Sequence, residues 1–129
     1  MPTPSHGAPP PLHELEAEVM EEVWRRGRAT VREVLEALNA GARKRAYTTV
    51  MTIMVRLAGK GLLARERKGR ADIYAPTMTR DAYLEARASS EVEALVGEFG
   101  DVALAHFARQ IDRLDPERLE QLRRLARDG

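Results

Sequence analysis

The stretch AYTTVMTIMVRLAGKGL, residues 46–62, decides the fold because its apolar and polar residues separate onto two faces of one helix. Four apolar residues recur at the i, i+3, i+4, i+7 spacing of a buried helical stripe, namely Val50, Ile53, Met54 and Leu57. Gly61 follows, a residue type that often ends a helix. The pattern therefore predicts a helix from about Ala46 to Lys60 that buries one side and leaves the other free.

The free side of this predicted helix has the chemistry of a surface that contacts DNA. No Asp or Glu occurs between residues 42 and 65, and a carboxylate on such a surface would repel phosphate. A threonine hydroxyl can hydrogen-bond a base edge, and its methyl group can pack on thymine. We therefore predict groove contacts from Tyr47, Thr48, Thr49, Met51, Thr52, Val55 and Arg56. For Thr48 and Thr49, a role as a helix cap stays open.

The sequence before this helix predicts a leader and two more helices. Residues 1–11 contain five prolines, a composition typical of a disordered segment. From Leu12 onward apolar residues recur at helical spacing until Gly27, which predicts an amphipathic helix. The sequence TVRE, residues 30–33, matches a capping box and predicts the start of a second helix, which ends near residues 39–41.

The sequence after this helix predicts a β-hairpin. Residues 62–67 and 71–75 are two extended segments, and Gly69 between them supplies the positive φ of a tight turn. Pro76 closes the second strand. Three helices followed by a hairpin are the order of a winged helix-turn-helix, which we assign to residues 12–77.

Residues 78–129 are predicted to be helical again. One helix runs from near Thr79 toward Val96, with an apolar stripe that Ser89-Ser90 interrupts. A second helix contains Leu104 to Ile111, and a third opens at Asp115-Pro116, a good cap followed by a good first-turn residue. The predicted fold class is mainly α with a small β-hairpin.

Charge is distributed unevenly along the chain. The net charge is +1, but residues 41–80 contain ten basic and two acidic residues, a net +8, which leaves −7 for the rest. A basic middle segment is typical of a phosphate-binding surface. The basic residues expected to contact phosphate are Arg43, Lys44, Arg45, Lys60, Arg65, Arg67, Lys68 and Arg70. Solvated surface charge, or a charged strand edge that prevents aggregation, is the alternative interpretation.

The sequence argues against other classes of site. There is no cysteine, the three histidines are scattered, and neither a phosphate-binding glycine loop nor a nucleophile motif occurs. We therefore expect no enzyme activity, no metal and no cofactor. No apolar run reaches the length of a membrane span, and no secretory signal is recognisable, so we expect a cytoplasmic protein.

Several blocks of the sequence resemble the penicillinase-repressor (BlaI/MecI) family in order and spacing. The blocks are LEAEVM (15–20), VW (23–24), TVREV (30–34), AYTTVMT (46–52), RL (56–57) and KGL (60–62). The resemblance is strongest over residues 12–76 and looser after residue 80, where ALAHF (103–107) and residues 114–125 still fit.

This resemblance implies a homodimeric repressor whose N-terminal winged helices bind a palindromic operator of TACA/TGTA half-sites. It also implies dimerisation by the C-terminal helices, for which we expect Leu104, Phe107, Ile111, Leu119, Leu122 and Leu125. Many members are paired with a membrane-bound metalloprotease sensor, and repressor cleavage relieves repression. The Asn-Phe bond cut in some relatives aligns with His106-Phe107, so the Asn is replaced here.

A second hypothesis stays open from the sequence. Winged helices also serve as protein-interaction adaptors that bind no specific DNA. An adaptor has no reason to exclude acidic residues from residues 42–65, so the charge pattern favours the repressor.

Overall fold

A computed structural model describes residues 8–128 of the chain. The predicted disorder of residues 1–7 lies outside this range. The chain divides into two compact units between Ala88 and Ser89.

The first unit contains the three helices and the hairpin that the sequence predicts. The elements are α1 (Glu14–Arg26), α2 (Val31–Asn39), α3 (Tyr47–Gly59), β1 (Leu63–Lys68), β2 (Ala71–Pro76) and the start of α4 (Arg80–Phe99). This order confirms the predicted winged helix-turn-helix. The antiparallel hairpin pairs Lys68 with Ala71 across a turn in which Gly69 has a φ of 62°.

Local hydrogen bonds explain where α2 begins and how the hairpin joins the helices. The Glu33 N–H donates to Thr30 Oγ1 at 3.1 Å, and the Thr30 N–H donates to Glu33 Oε1 at 2.9 Å, which confirms the predicted capping box. Ala29, just before α2, forms a two-bond antiparallel bridge with Tyr74 of β2 at 2.9 and 2.8 Å. The hairpin is therefore held to the helices by backbone hydrogen bonds as well as by packing.

One hydrophobic core joins α1, α2, α3 and the hairpin. The predicted stripe of α3 is buried in it, which confirms that prediction. Its buried members are Val19, Met20, Val23, Ala29, Val31, Val34, Val50, Ile53, Met54, Leu57, Leu62, Leu63, Tyr74 and Tyr83. Full burial of a Val, Ile, Met or Leu side chain contributes about 1.5–3 kcal/mol to folding. The four buried side chains of α3 therefore fix its orientation strongly.

A buried carboxylate lies beside this core and ties α1 to the end of α3. Glu16 is 1% exposed, accepts from the His13 N–H at 3.0 Å, and pairs with Lys60 Nζ at 2.8 Å. Burial raises the pKa of Glu16, but the bonds from the His13 N–H and from Lys60 outweigh it and hold the pKa below its ordinary value of 4.5. The Glu16 carboxylate is therefore ionised, and Lys60 compensates its charge.

The first unit extends beyond the predicted boundary at residue 77, because Tyr83 of α4 is buried in its core. The Tyr83 ring packs against Trp24 with a centroid distance of 5.5 Å, and its hydroxyl donates to the Pro10 carbonyl at 2.8 Å. The end of the leader is thus held on α4, although the composition of residues 1–11 predicts disorder. Each backbone carbonyl of a proline segment can accept a hydrogen bond. The partner of such a carbonyl lies far away in the chain, so the sequence pattern does not predict it.

The second unit contains the rest of α4, α5 (Asp101–Asp112) and α6 (Pro116–Asp128). The helix predicted from near Thr79 toward Val96 is α4, which is continuous through Ser89 and Ser90 and ends at Phe99. Asp115 accepts from the Arg118 N–H at 2.8 Å, as predicted for the cap of α6. Within residues 8–128, no helix is both long and apolar enough to cross a membrane.

We predict that Lys60→Met destabilises the protein by about 1–3 kcal/mol at neutral pH, because it leaves the Glu16 carboxylate buried without its cation. Lys68→Met is the matched control. Lys68 lies exposed in the hairpin, so this change should stay within about 0.5 kcal/mol. Urea denaturation of both variants measures the difference.

The pH dependence gives an independent check. The lowered pKa of Glu16 stabilises the wild type above pH 4.5, and this contribution is lost as the pH falls below that value. In Lys60→Met, the lowering of the Glu16 pKa by Lys60 is lost, while burial still raises that pKa and the His13 N–H still lowers it, so Glu16 takes up its proton at a higher pH than in the wild type. The stability gap between wild type and variant should therefore narrow on acidification, and a gap that stays constant would contradict the assignment.

Candidate nucleic-acid interface

The exposed side of α3 carries two rows of side chains. One row is polar and consists of Thr48, Thr52 and Arg56 at i, i+4, i+8, with Thr49 beside it, and all four residues are exposed. We call these four residues the recognition face. The other is the apolar row, Tyr47, Met51 and Val55, whose exposed fractions are 42%, 39% and 44%. The structure thus brings all seven predicted groove residues onto the free side of one rigid helix.

The first turn of α3 is suited to an anion. Its N-cap is Ala46, no side chain within residues 8–128 caps it, and its first turn contains no acidic residue. The first N–H groups of a helix have no intrahelical partner, and the helix dipole adds partial positive charge there. By contrast, α2 uses its capping box to satisfy the same groups. The beginning of α3 can therefore donate to a phosphate.

The connector between α2 and α3 is fixed by one side chain. The Asn39 amide accepts from the Arg45 N–H at 2.6 Å and donates to the Arg45 carbonyl at 3.0 Å. Lys44 Nζ donates to the Asn39 carbonyl at 2.5 Å. These bonds set the direction in which the chain enters α3.

Two of the basic residues expected to contact phosphate form ion pairs with α1 instead. Arg45 pairs with Glu18 of α1 at 3.2 Å and is mostly buried, and Lys60 pairs with the buried Glu16. Both hold α3 against α1, because a buried or half-buried carboxylate requires a nearby cation. Arg67 donates to the Gly69 carbonyl at 3.2 Å and lies 3.5 Å from Asp72. These pairings withdraw Arg45 and Lys60 from the predicted phosphate set.

The remaining predicted cations lie exposed at the connector and hairpin: Arg43, Lys44, Arg65, Arg67, Lys68 and Arg70, of which Arg67 is paired with Asp72. The side chain of Tyr74 and then the charge of Asp72 raise the pKa of Arg65 above its ordinary value, so Arg65 stays charged. The hairpin therefore presents fixed positive charge beside α3.

A cleft of about 390 Å³ separates α3 from the hairpin. It is lined by the apolar row on one side and by hairpin residues that include Arg65 and Arg70 on the other. Arg32, at the start of α2, also lines this cleft, and its guanidinium lies 5.6 Å from the centre of the Tyr47 ring. Arg32 was not predicted from the sequence, because it lies outside the basic middle segment. Its place in the first turn of α2 was a signal that could have identified it as a cation near α3.

A larger groove, of about 640 Å³, lies elsewhere on the first unit and has different chemistry. Its lining includes Glu18, Glu21 and Glu22 together with Trp24 and Arg80. Its three carboxylates disfavour a phosphate backbone, in contrast to the cleft beside α3. Among residues 8–128 no group of His, Asp and Glu is arranged to hold a metal ion.

The second unit exposes large apolar side chains of a kind that is usually buried in a core or an interface. Leu104, Ile111 and Leu125 are 49%, 42% and 65% exposed, and Phe107, Leu119 and Leu122 are half-buried. The sequence analysis missed four more exposed apolar residues on α4 and α5, namely Val92, Leu95, Phe99 and Val102. A cavity of about 240 Å³ with an apolar lining opens among Leu95, Phe99, Val102, Ala103, His106 and Phe107. The predicted dimerisation residues thus comprise three exposed and three half-buried apolar side chains of this unit.

Comparison with known proteins identifies a family over almost the whole chain. The family model described as penicillinase repressor matches residues 12–128. The transcriptional regulator BlaI of Mycobacterium tuberculosis is 42% identical over 118 residues, which cover 88% of this chain and 80% of that protein. The penicillinase repressor of Bacillus licheniformis is 25% identical over 113 residues, which cover 88% of this chain and 87% of that protein.

Solved structures match the same region. The DNA-binding domain of the repressor BlaI in solution is 27% identical with a TM-score of 0.52, and the match covers 60% of this chain and 93% of that one. The monomeric form of Bacillus licheniformis BlaI in complex with the blaP half-operator matches with the same identity and coverage and a TM-score of 0.50. The YusO protein of Bacillus subtilis, at 18% identity and a TM-score of 0.52 over 91% of this chain, shares the fold.

We predict that Arg32→Ala weakens binding to duplex DNA and reduces the slope of log affinity against log salt by about 1 for each bound subunit, the loss of one phosphate contact per subunit. The matched control is Arg25→Ala, since Arg25 pairs with Glu22 on α1 and lines the acidic groove. That control removes the same charge but should leave the slope unchanged. Equal slopes for Arg32→Ala and wild type in fluorescence anisotropy titrations would remove Arg32 from the interface.

Proposed function

This chain belongs to the penicillinase repressor family and is a DNA-binding transcriptional repressor, and on that premise we propose that it binds a palindromic operator as a homodimer, with α3 in the major groove. The observation that carries the proposal is the free side of α3. It is exposed, contains no acidic residue, lies beside a cationic hairpin and is fixed by the core behind it.

The recognition face supplies groups that suit base edges. Thr48 and Thr52 offer hydroxyl and methyl groups, and Arg56 offers the forked donors that pair with guanine. The uncapped first turn of α3 donates N–H groups to a phosphate at the groove edge. Side-chain contacts then carry sequence information, and backbone contacts fix the register of the helix in the groove.

Phosphate contacts come from the cations that remain exposed. We assign them to Arg43 and Lys44 before α3, to Arg65, Lys68 and Arg70 in the hairpin, and to Arg32 at the cleft. These contacts add affinity that depends steeply on salt but little discrimination between sequences.

Dimerisation is proposed for the second unit, because its exposed apolar side chains would be covered by the same surface of a second copy. The interface comprises the six predicted residues and adds Val92, Leu95, Phe99 and Val102. Joining two half-site contacts raises the affinity for a palindrome through effective concentration. The two-fold symmetry of the protein then matches that of the operator.

Release from DNA is proposed to follow loss of this dimer. His106 and Phe107 lie in the middle of α5, and both line the apolar cavity of the second unit. A cut between them would divide α5 and disrupt that unit without touching α3. A membrane-bound metalloprotease sensor, acting indirectly, is the partner that the family resemblance suggests. The proposal includes no catalytic step by this chain and places it in the cytoplasm with its operator.

The experiment that tests the proposal is a titration of a TACA/TGTA palindrome beside a scrambled duplex at two salt concentrations. We expect a preference of at least about 10³ for the palindrome and a steep loss of affinity with salt. Thr52→Ala should reduce that preference by at least about 30-fold, since the dimer loses one base contact in each half-site and each contributes about 1–3 kcal/mol. Equal, weak binding to both duplexes would overturn the operator assignment and favour an adaptor.

For the dimer, we predict that Leu104→Asp yields a monomer, because a carboxylate cannot be buried in an apolar interface without a partner. Affinity for the palindrome should fall at least about 10²-fold, while affinity for a single half-site stays unchanged. The control Ala105→Asp adds the same charge to α5 outside the row of Leu104 and Ile111. A dimeric Leu104→Asp variant in sedimentation equilibrium would place the interface elsewhere.

A further inference from the structure

The apolar row of α3 is unusual for an exposed surface. Tyr47, Met51 and Val55 follow one another at i, i+4, i+8, and each exposes roughly two-fifths of its surface. The rest of the exposed side of α3 is dominated by threonines and Arg56. All three apolar side chains line the cleft toward the hairpin. The row is therefore a continuous apolar strip along one wall of that cleft.

The cleft surrounds this apolar strip with positive charge. Arg65 and Arg70 lie among its hairpin residues, and Arg32 lies over the Tyr47 ring. Asp72 also lines the cleft, but its carboxylate is compensated by Arg67 at 3.5 Å. An apolar wall with a cationic rim fits a polyanion that carries apolar groups at its edge.

Duplex DNA has one such group at its base edges. In the major groove the 5-methyl of thymine is the aliphatic group, and its presence distinguishes thymine from cytosine and uracil. Resting on the proposed function, which places α3 in that groove, we infer that Met51 and Val55 contact thymine methyl groups and select thymine within each half-site. Tyr47 has a different role, because its ring holds Arg32 at the rim of the cleft.

Deoxyribose offers a second apolar surface that Met51 and Val55 could contact. An experiment can distinguish a contact to the sugar from a contact to the thymine methyl group. A deoxyribose contact is indifferent to the base that the sugar carries. A thymine methyl contact is lost when thymine is replaced by uracil, which keeps every Watson–Crick hydrogen bond and removes one methyl group. Uracil substitution therefore tests the inference with the wild-type protein and without any effect on its folding.

The experiment compares the all-thymine TACA/TGTA palindrome with duplexes in which single thymines are replaced by uracil. For at least one thymine per half-site, we expect wild-type affinity to fall about fourfold, the value of one buried methyl group. Uracil in the flanks outside the half-sites is the control and should have no effect. In Met51→Ala or Val55→Ala, the difference between thymine and uracil should disappear at the position that the deleted side chain contacts.

Each result has a distinct meaning. Failure to bind the all-thymine palindrome would overturn the proposed function and this inference with it. Tight binding that no uracil substitution weakens would overturn the inference alone and point to a sugar contact. A uracil penalty that persists in both alanine variants would remove Met51 and Val55 as the readers. Melting curves of Met51→Ala and Val55→Ala are the folding control, and we expect them to match the wild type, because both side chains are exposed.

Discussion

The burial of one side of α3 is the constraint on which the rest of the molecule depends. Val50, Met54 and Leu57 are fully buried against α1, α2 and the hairpin, so α3 cannot rotate about its axis. The other side is then free, and its side chains are presented in a fixed order. A recognition helix needs this rigidity, because a contact to a base edge is specific only where its donor is held in place.

Charge is divided between two tasks. Lys60 and Arg45 face inward to Glu16 and Glu18, and they fasten α3 to α1. The cations of the hairpin and Arg32 face outward at the cleft. A basic segment of sequence therefore contains both structural and ligand-facing cations. In the proposed complex, the outward set would give affinity for phosphate, while the threonines and the apolar row would carry the discrimination between bases.

Much of this could be predicted from the sequence, because the deciding signals are local. The stripe of α3, the Thr30 capping box and the Gly69 turn each occupy a few consecutive residues, and the structure confirms them. The partners of Arg45 and Lys60 could not be predicted, because Glu18 and Glu16 lie far away in the chain. The same is true of the bond from Tyr83 to Pro10. The positions of the proposed DNA contacts follow from local pattern, whereas the inward pairing of two cations follows only from tertiary structure.

The most direct measurement is an NMR titration of the 15N-labelled protein with the palindromic duplex, following every backbone amide. We expect the largest shift changes at residues 47–56 of α3, at Arg32 and at the hairpin turn near Gly69. Amides around the acidic groove, such as those of Glu21 and Arg25, should change little. Changes confined to the acidic groove or to α5 and α6, with α3 unaffected, would contradict the central claim that the free side of α3 binds DNA.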